Sequence, residues 1–382
     1  MKTLRVILYK EIFTAVTFIA LGFLGLFSFF DLVDQLPSIG KLNPLDTNEP
    51  FTLLTALYAV ALGLPWRLYQ LMPICVLIGT ILVLTRLAQS SEFTILRVSG
   101  LGPWMALRAM LSLGLVFAVF TFITGDYIAP YTNKQQTLLK VRFDGSVSTG
   151  RTGAWLKESS PERSETASVN VGAINASLAF QQVKIFEFDS AGRLKRTITA
   201  SDGIDVGDGS WQLTQGTIAR YDNASPANER DSATKDNRIA TEAFETYEWR
   251  TDITKDMVSV ALLDPYNLST LELYEYVTHL DQNRQSAQQY EIEFWRKLFY
   301  PMGCLVMVAL ALPFAYLHFR SEGIAGYVFI GFLTGISFFL MNSMFSFIGN
   351  LSTWQPWLAA AAPSLIYSAI SLLAFSWLVL RR

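Results

Sequence analysis

Two carboxylates three residues apart, Asp31 and Asp34, close a run, Ile12 to Phe30, that holds no charge. An ionisable group in an apolar segment is usually there to act, and paired acids can pass a proton. At the end of the run the same pair can instead be solvated at the membrane surface. Other chemistry is easier to exclude. His279 and His318 stand far apart and lack ligand spacing, so no metal site is expected. Cys75 and Cys304 both sit inside apolar runs and read as buried thiols, without a disulfide framework. No glycine-rich phosphate loop ending in Lys-Ser/Thr occurs, and neither a nucleophile elbow nor a zinc-binding helix pair. The expectation is a chain with no catalytic residue and no cofactor of its own.

The stretch from Leu87 to Leu101 carries a different kind of function. Ser90 or Ser91 can cap a short helix, because a serine hydroxyl accepts from a free N–H of the first turn. Glu92 then falls where the helix dipole favours an anion, and Gly100 can end the helix in the left-handed conformation. Phe93 and Leu96 share one face, Ile95 and Val98 a neighbouring one, and Glu92 and Arg97 take the wetter side. Such a segment either docks a cytoplasmic partner or lies on the lipid headgroups as a connector. Lys41, Lys134, Lys140 and Arg142 fall near the opposite surface, as a rim for anionic headgroups or as a solvated face. Gly331 and Gly335, four apart, let a second helix approach closely, as ordinary packing or as a movable seam.

The elements that position these residues follow from the charge distribution. Of 62 charged residues (30 basic plus 32 acidic), 44 lie between Asp126 and Lys297, leaving 18 for the flanks. That partition reads as membrane, polar domain, membrane. Residues 1–130 hold three spans: Ile12–Phe30, a second near Leu68–Leu87 after an interfacial helix that ends before about Leu64, since Pro65 and Pro73 divide the Thr52–Thr85 stretch, and Trp104–Asp126. The coupling stretch lies near residues 90–100, between the second and third spans. Residues 131–270 alternate apolar and polar positions between turn clusters, as in Trp211-Gln-Leu213, and predict an all-β domain of sandwich or jelly-roll type. Asn228 to Asn237 reads as a loop. Residues 271–297 form a connecting helix, and 298–382 hold spans at Leu298–Leu317, Ile324–Ile348 and Trp357–Leu380. Basic residues concentrate on one side: Lys2, Arg5, Lys10, Arg86, Arg97, Arg108, Arg320, Arg381 and Arg382, against Lys41 and Arg67 opposite. The positive-inside rule then predicts cytoplasmic termini and an extracytoplasmic β-domain. A net charge of −2 gives no reason to expect nucleic acid.

In order and spacing, several segments resemble the permease subunits of the lipopolysaccharide export system, LptF and LptG, with LptG the nearer. Ser91-Glu92-Phe-Thr-Ile-Leu-Arg-Val-Ser-Gly100 resembles the family's coupling helix, with Leu96 where methionine is typical. Phe30-Asp-Leu-Val-Asp-Gln-Leu36, Gly153-Ala-Trp155, Val260-Ala-Leu-Leu-Asp-Pro265 and Trp295-Arg-Lys-Leu-Phe-Tyr-Pro301 are similar to LptG. The resemblance implies six membrane helices with an inserted periplasmic jelly-roll in a Gram-negative inner membrane. It implies an LptF-like permease partner and an LptB-like ATPase dimer, which holds ATP and magnesium and grips Ser91, Glu92, Phe93, Leu96, Arg97 and Gly100. It further implies an LptC-like acceptor in the periplasm and lipopolysaccharide as cargo. Asp31 departs from the family, standing where a lysine is typical, and Lys41, Lys134, Lys140 and Arg142 are left to meet the lipid. The rival expectation is a membrane-tethered lipid-binding or assembly protein that undergoes no ATP-driven movement.

Overall fold

The computed structural model describes residues 2–43, 50–98, 100, 102–144, 146–147, 153–160, 165–175, 179–207, 209–221, 239–254, 257–258, 261, 265–283, 285–316, 324–352 and 354–377. The expected Asn228–Asn237 loop and Arg320, Arg381 and Arg382 lie outside them.

Helix α1 (Lys2–Gln35) buries Leu8, Ile12, Val16 and Ala20, a row at four-residue spacing, and leaves most of its other apolar side chains exposed. It packs against α2 (Leu53–Gln89), the most buried helix of the bundle. Gly79 makes this crossing possible: a Cβ there would lie 2.6 Å from Val16 Cγ2 and 2.9 Å from Val16 Cα. Pro65 and Pro73 were expected to divide this stretch, but α2 runs unbroken through both. Beside the second proline the Tyr300 hydroxyl donates to the Gln70 carbonyl at 2.5 Å, which fixes this part of α2 to the fourth span.

After the short helix α3 (Glu92–Val98) comes α4 (Pro103–Ile123). It passes through a π-helical turn, Thr124–Ile128, directly into α5 (Ala129–Asp144). The strands therefore begin at Ser146 rather than near residue 131. Residues 131–144 were misassigned because their polar composition marks exit from the membrane, which a projecting helix satisfies as well as a strand.

Among the described residues the β-domain has seven strands: β1 (Ser146–Val147), β2 (Ala154–Ser160), β3 (Glu165–Asn175), β4 (Phe180–Phe188), β5 (Leu194–Gly207), β6 (Ser210–Tyr221) and β7 (Ile239–Arg250). They pair antiparallel, β3 to β7 in chain order, with β1 and β2 sharing the free edge of β3. A crease crosses the sheet. Val171, Val183, Ala200, Gly216 and Phe244 form one paired row; Ala173, Gln181, Asp202, Thr214 and Thr246 form the next. Between the two rows the bridges lapse in every strand. Gln182 and Gln215, in that gap, take left-handed φ values of 54° and 52°.

The sheet folds over along this line. Glu187 is aligned, through Arg196 and Arg220, with Ala240 of β7. Trp249 lies nine residues further along that strand (240 to 249), about 30 Å away on a flat sheet at 3.3 Å per residue. Yet Trp249 Nε1 donates to Glu187 Oε1 at 2.8 Å. Two leaves thus face each other around Val169, Ile185, Ile198, Phe180, Trp211 and Leu213. This fold-over gives the jelly-roll-like form from strands that follow one another as a meander.

The expected connecting helix is two, α6 (Thr270–Gln282) and α7 (Gln288–Phe299). A capping box of Ser269 and Glu272 starts α6, and Leu273, Tyr276 and Leu280 join the buried cluster of the β-domain. The fourth span is α8 (Met302–Ala311) with its 3₁₀ extension Leu312–Tyr316, bent by 47° from α7. Then come α9 (Ile324–Leu351) and α10 (Pro356–Phe375). Among the described residues five helices are long and apolar enough to cross a membrane, six with the bent pair counted as one.

Candidate functional site

Helix α3 hangs between α2 and α4 on two tight turns. Ser91 has φ 61°, and its carbonyl accepts from Ile95 N, beginning the helix. The Ser90 hydroxyl instead donates back to Leu87 O at 3.3 Å and so finishes α2. Gly100, at φ 101°, ends the helix in the conformation that side chains resist. Its N–H donates to Arg97 O.

The faces of α3 divide differently from expectation. Phe93 is only 2% exposed, and its ring stands edge-on to Tyr316, centroids 5.2 Å apart. Arg97 lies over the same tyrosine, 4.9 Å from the ring centre. Both residues therefore hold α3 to the end of the fourth span, and Phe93 is a core residue of its own chain rather than a partner's anchor. Ile95 at 63% and Val98 at 85% exposure are the apolar side chains on offer, with Glu92 beside them. The side chain of Leu96 is outside the described part. Tyr316 was missed from sequence because it lies more than two hundred residues from α3, in a span that reads only as apolar.

At the other end of the bundle, Lys41, Lys134, Lys140 and Arg142 are all exposed. Phe51 brings two of their elements together: its N–H donates to Lys41 O at 2.8 Å, and its ring meets Phe143 edge-on at 5.0 Å. Gln136 of α5 donates to Ala59 O of α2 at 2.8 Å, so the helix that carries Lys134, Lys140 and Arg142 is fixed against the bundle. Asp31 meets Arg67 in a two-point pair, 2.6 Å from Nη2 and 3.1 Å from Nε. Arg67 also lies 5.5 Å from the Phe27 ring centre. The signal for this pair was in the sequence: Arg67 is the sole charge between Thr52 and Thr85, and an isolated charge in a span needs a partner.

Gly331 and Gly335 both face α2. Cβ atoms there would lie 2.6 Å from Ile81 Cδ1 and 3.0 Å from Ile74 Cγ2. Phe332, between them in sequence, stacks with Phe23 of α1 at 6.4 Å, so α1 and α9 meet over α2.

The six-span layout, the inserted folded-over sheet and the short helix after the second span now stand together. The family model for the lipopolysaccharide export system permease LptF/LptG matches residues 6–381. The chain belongs to the LptF/LptG family. It is similar to the lipopolysaccharide export system permease protein LptG of Haemophilus influenzae (strain ATCC 51907 / DSM 11121 / KW20 / Rd), 26% identical over 378 residues, covering 98% of this chain and 97% of that protein. It is also similar to LptG of Escherichia coli (strain K12), 24% identical over 376 residues, covering 98% and 96%.

Proposed function

We propose that this chain is one permease subunit of an ATP-driven lipopolysaccharide exporter, seated in the bacterial inner membrane with cytoplasmic termini and a periplasmic β-domain. It pairs with an LptF-like subunit, is driven by an LptB-like ATPase dimer that binds ATP and magnesium, and hands lipid to an LptC-like acceptor. The observation that supports this best is the mounting of α3. A connector lying on headgroups would be free to follow the lipid. This helix is held through Phe93 and Arg97 to Tyr316, while Ile95 and Val98 face outward. Force applied to the exposed face therefore reaches the fourth span directly. Lys41, Lys134, Lys140 and Arg142 supply cations for the lipid phosphates at the opposite end.

The test is copurification of the ATPase, together with lipid release from proteoliposomes, for Ile95→Asp, Val98→Asp and Glu92→Lys. Glu92→Lys forfeits only about 0.3–1 kcal/mol of helix-dipole stabilisation, so the chain should still insert. All three variants should lose the ATPase or hydrolyse ATP without moving lipid. Wild-type partner binding and release in all three would reduce α3 to a connector and favour the tethered-protein alternative.

A further inference from the structure

The crease that folds the β-domain also shapes a groove on its solvent side. A cavity of about 570 Å³ is lined by Gln182, Lys184, Thr199, Ser201, Gln215 and Thr217, together with Phe244 and the backbone at Ala200 and Gly216. The six polar side chains are all exposed and alternate with the buried Val183, Ile185, Ile198 and Ala200 of the inner face. The volume lies within the range of ordinary ligand sites.

Backbone conformation marks the same place. Gln182 and Gln215 are two of three non-glycine residues with positive φ among the described residues, and both line this cavity. Glycine would adopt that conformation without steric penalty, whereas a side chain pays one. Strain of this kind at two positions facing one site is a pointer to function. The crease itself is held by other means: the Ser201 hydroxyl donates to Gln215 O at 3.2 Å.

The lining defines the ligand. Two carboxamides and the Thr199 and Thr217 hydroxyls both donate and accept, and Ser201, its proton given to Gln215 O, still accepts, which matches sugar hydroxyls that donate and accept. Lys184 adds a cation, and no carboxylate is among the described lining residues. Phe244 adds an apolar ring face for sugar C–H groups. A peptide would be expected to extend a sheet edge, whereas this groove lies in the middle of a sheet face. We propose that the groove binds an oligosaccharide carrying an anionic group, the chemistry of a phosphorylated glycolipid headgroup. The transport reading supplies only a source for that sugar; the site does not depend on it.

The experiment uses the full-length protein in detergent. Its probes are the phosphorylated core oligosaccharide released from lipopolysaccharide by mild acid, the same oligosaccharide after dephosphorylation, and inorganic phosphate. The phosphorylated sugar should bind at least tenfold more tightly than its dephosphorylated form, and phosphate alone should not compete. Lys184→Gln should abolish that difference. Gln182→Gly combined with Gln215→Gly should leave the thermal midpoint at or above wild type while weakening binding at least tenfold. Wild-type binding by the glycine pair overturns the proposal. So does a lowered midpoint, which would make the glutamines part of the crease, and so does equal competition by phosphate, which would leave an anion site only. Lipid release by the same variants bears on the permease reading and leaves this site to be decided by the titrations.

Discussion

Asp31 and Arg67 each make the other tolerable. A lone charge at either position would sit among apolar side chains of α1 and α2, and the paired form satisfies both ends of a planar guanidinium–carboxylate contact. The pair is about a quarter to a third exposed, so its own contribution is modest, about 1 kcal/mol or less. Repulsion is the stronger lever. Asp31→Lys should lower the thermal midpoint because it sets two cations side by side. Adding Arg67→Asp should recover most of the loss. A double variant no better than Asp31→Lys alone would show that the pair does not act as a unit. Phe93 separates from its neighbours in the same way. Phe93→Ala empties a buried site against Tyr316 and should destabilise by about 3 kcal/mol. Ile95→Asp should leave the thermal midpoint unchanged and act only on partner binding.

Helices of this bundle meet where a side chain is missing, and the contacts differ in kind. The Cβ of a Gly79→Ala variant would strike the backbone of Val16, which cannot step aside. In Gly331→Ala and Gly335→Ala the methyl meets the side chains of Ile81 and Ile74, which can change rotamer. Gly79→Ala should therefore cost the most heat stability in detergent, with Gly331→Ala and Gly335→Ala well behind it. Equal losses would mean that α1 can shift along α2. The spacing of Gly331 and Gly335 was legible in the sequence, but the tighter site at Gly79 was not, because its partner is a single valine on another helix. Helix α6 offers a pH test. Burial holds the His279 imidazole below its ordinary range, a shift that Glu158 opposes, so the folded form disfavours the charged ring. A lowered folded-state value means that stability is fully present above the usual histidine range and falls as pH drops through it. Protection of the α6 amides, taken relative to the intrinsic exchange rate at each pH, should fall from pH 7.5 to 5.5 in wild type and fall less in His279→Gln. An equal fall in both would assign the effect to other groups.

The order of spans, sheet and spans was readable from the sequence because the solvent changes along the chain, and charge placement records that change directly. The joint between membrane and β-domain was not readable, since it depends on residues far apart in sequence meeting at one turn. That joint is the π-helical Thr124–Ile128. Lys297, only 4% exposed, donates to Gly125 O at 3.1 Å, while Asp126 accepts from both Thr270 N at 2.6 Å and Thr270 Oγ1 at 2.5 Å. Tyr69 presses its ring where a Gly125 Cβ would be, and the Tyr69 and Tyr300 rings meet at a tilt of 46°, centroids 5.0 Å apart. One turn thus ties the helix that follows α3 to the start of α6 and to α7. Motion entering at α3 has a short covalent and hydrogen-bonded route through α4 to the β-domain, and Lys297 is the buried tie along it. Lys297→Met removes the donor and leaves the Gly125 carbonyl buried without it, a cost of about 1–3 kcal/mol. That is too little to unfold the bundle, so insertion and ATPase binding should persist. Lipid release per ATP hydrolysed should fall, because α7 no longer follows the turn. Glu92→Lys differs in losing the ATPase itself or its effect at the first contact. Measuring hydrolysis and release together in proteoliposomes separates the two, and an unchanged ratio in Lys297→Met would remove this turn from the path of coupling.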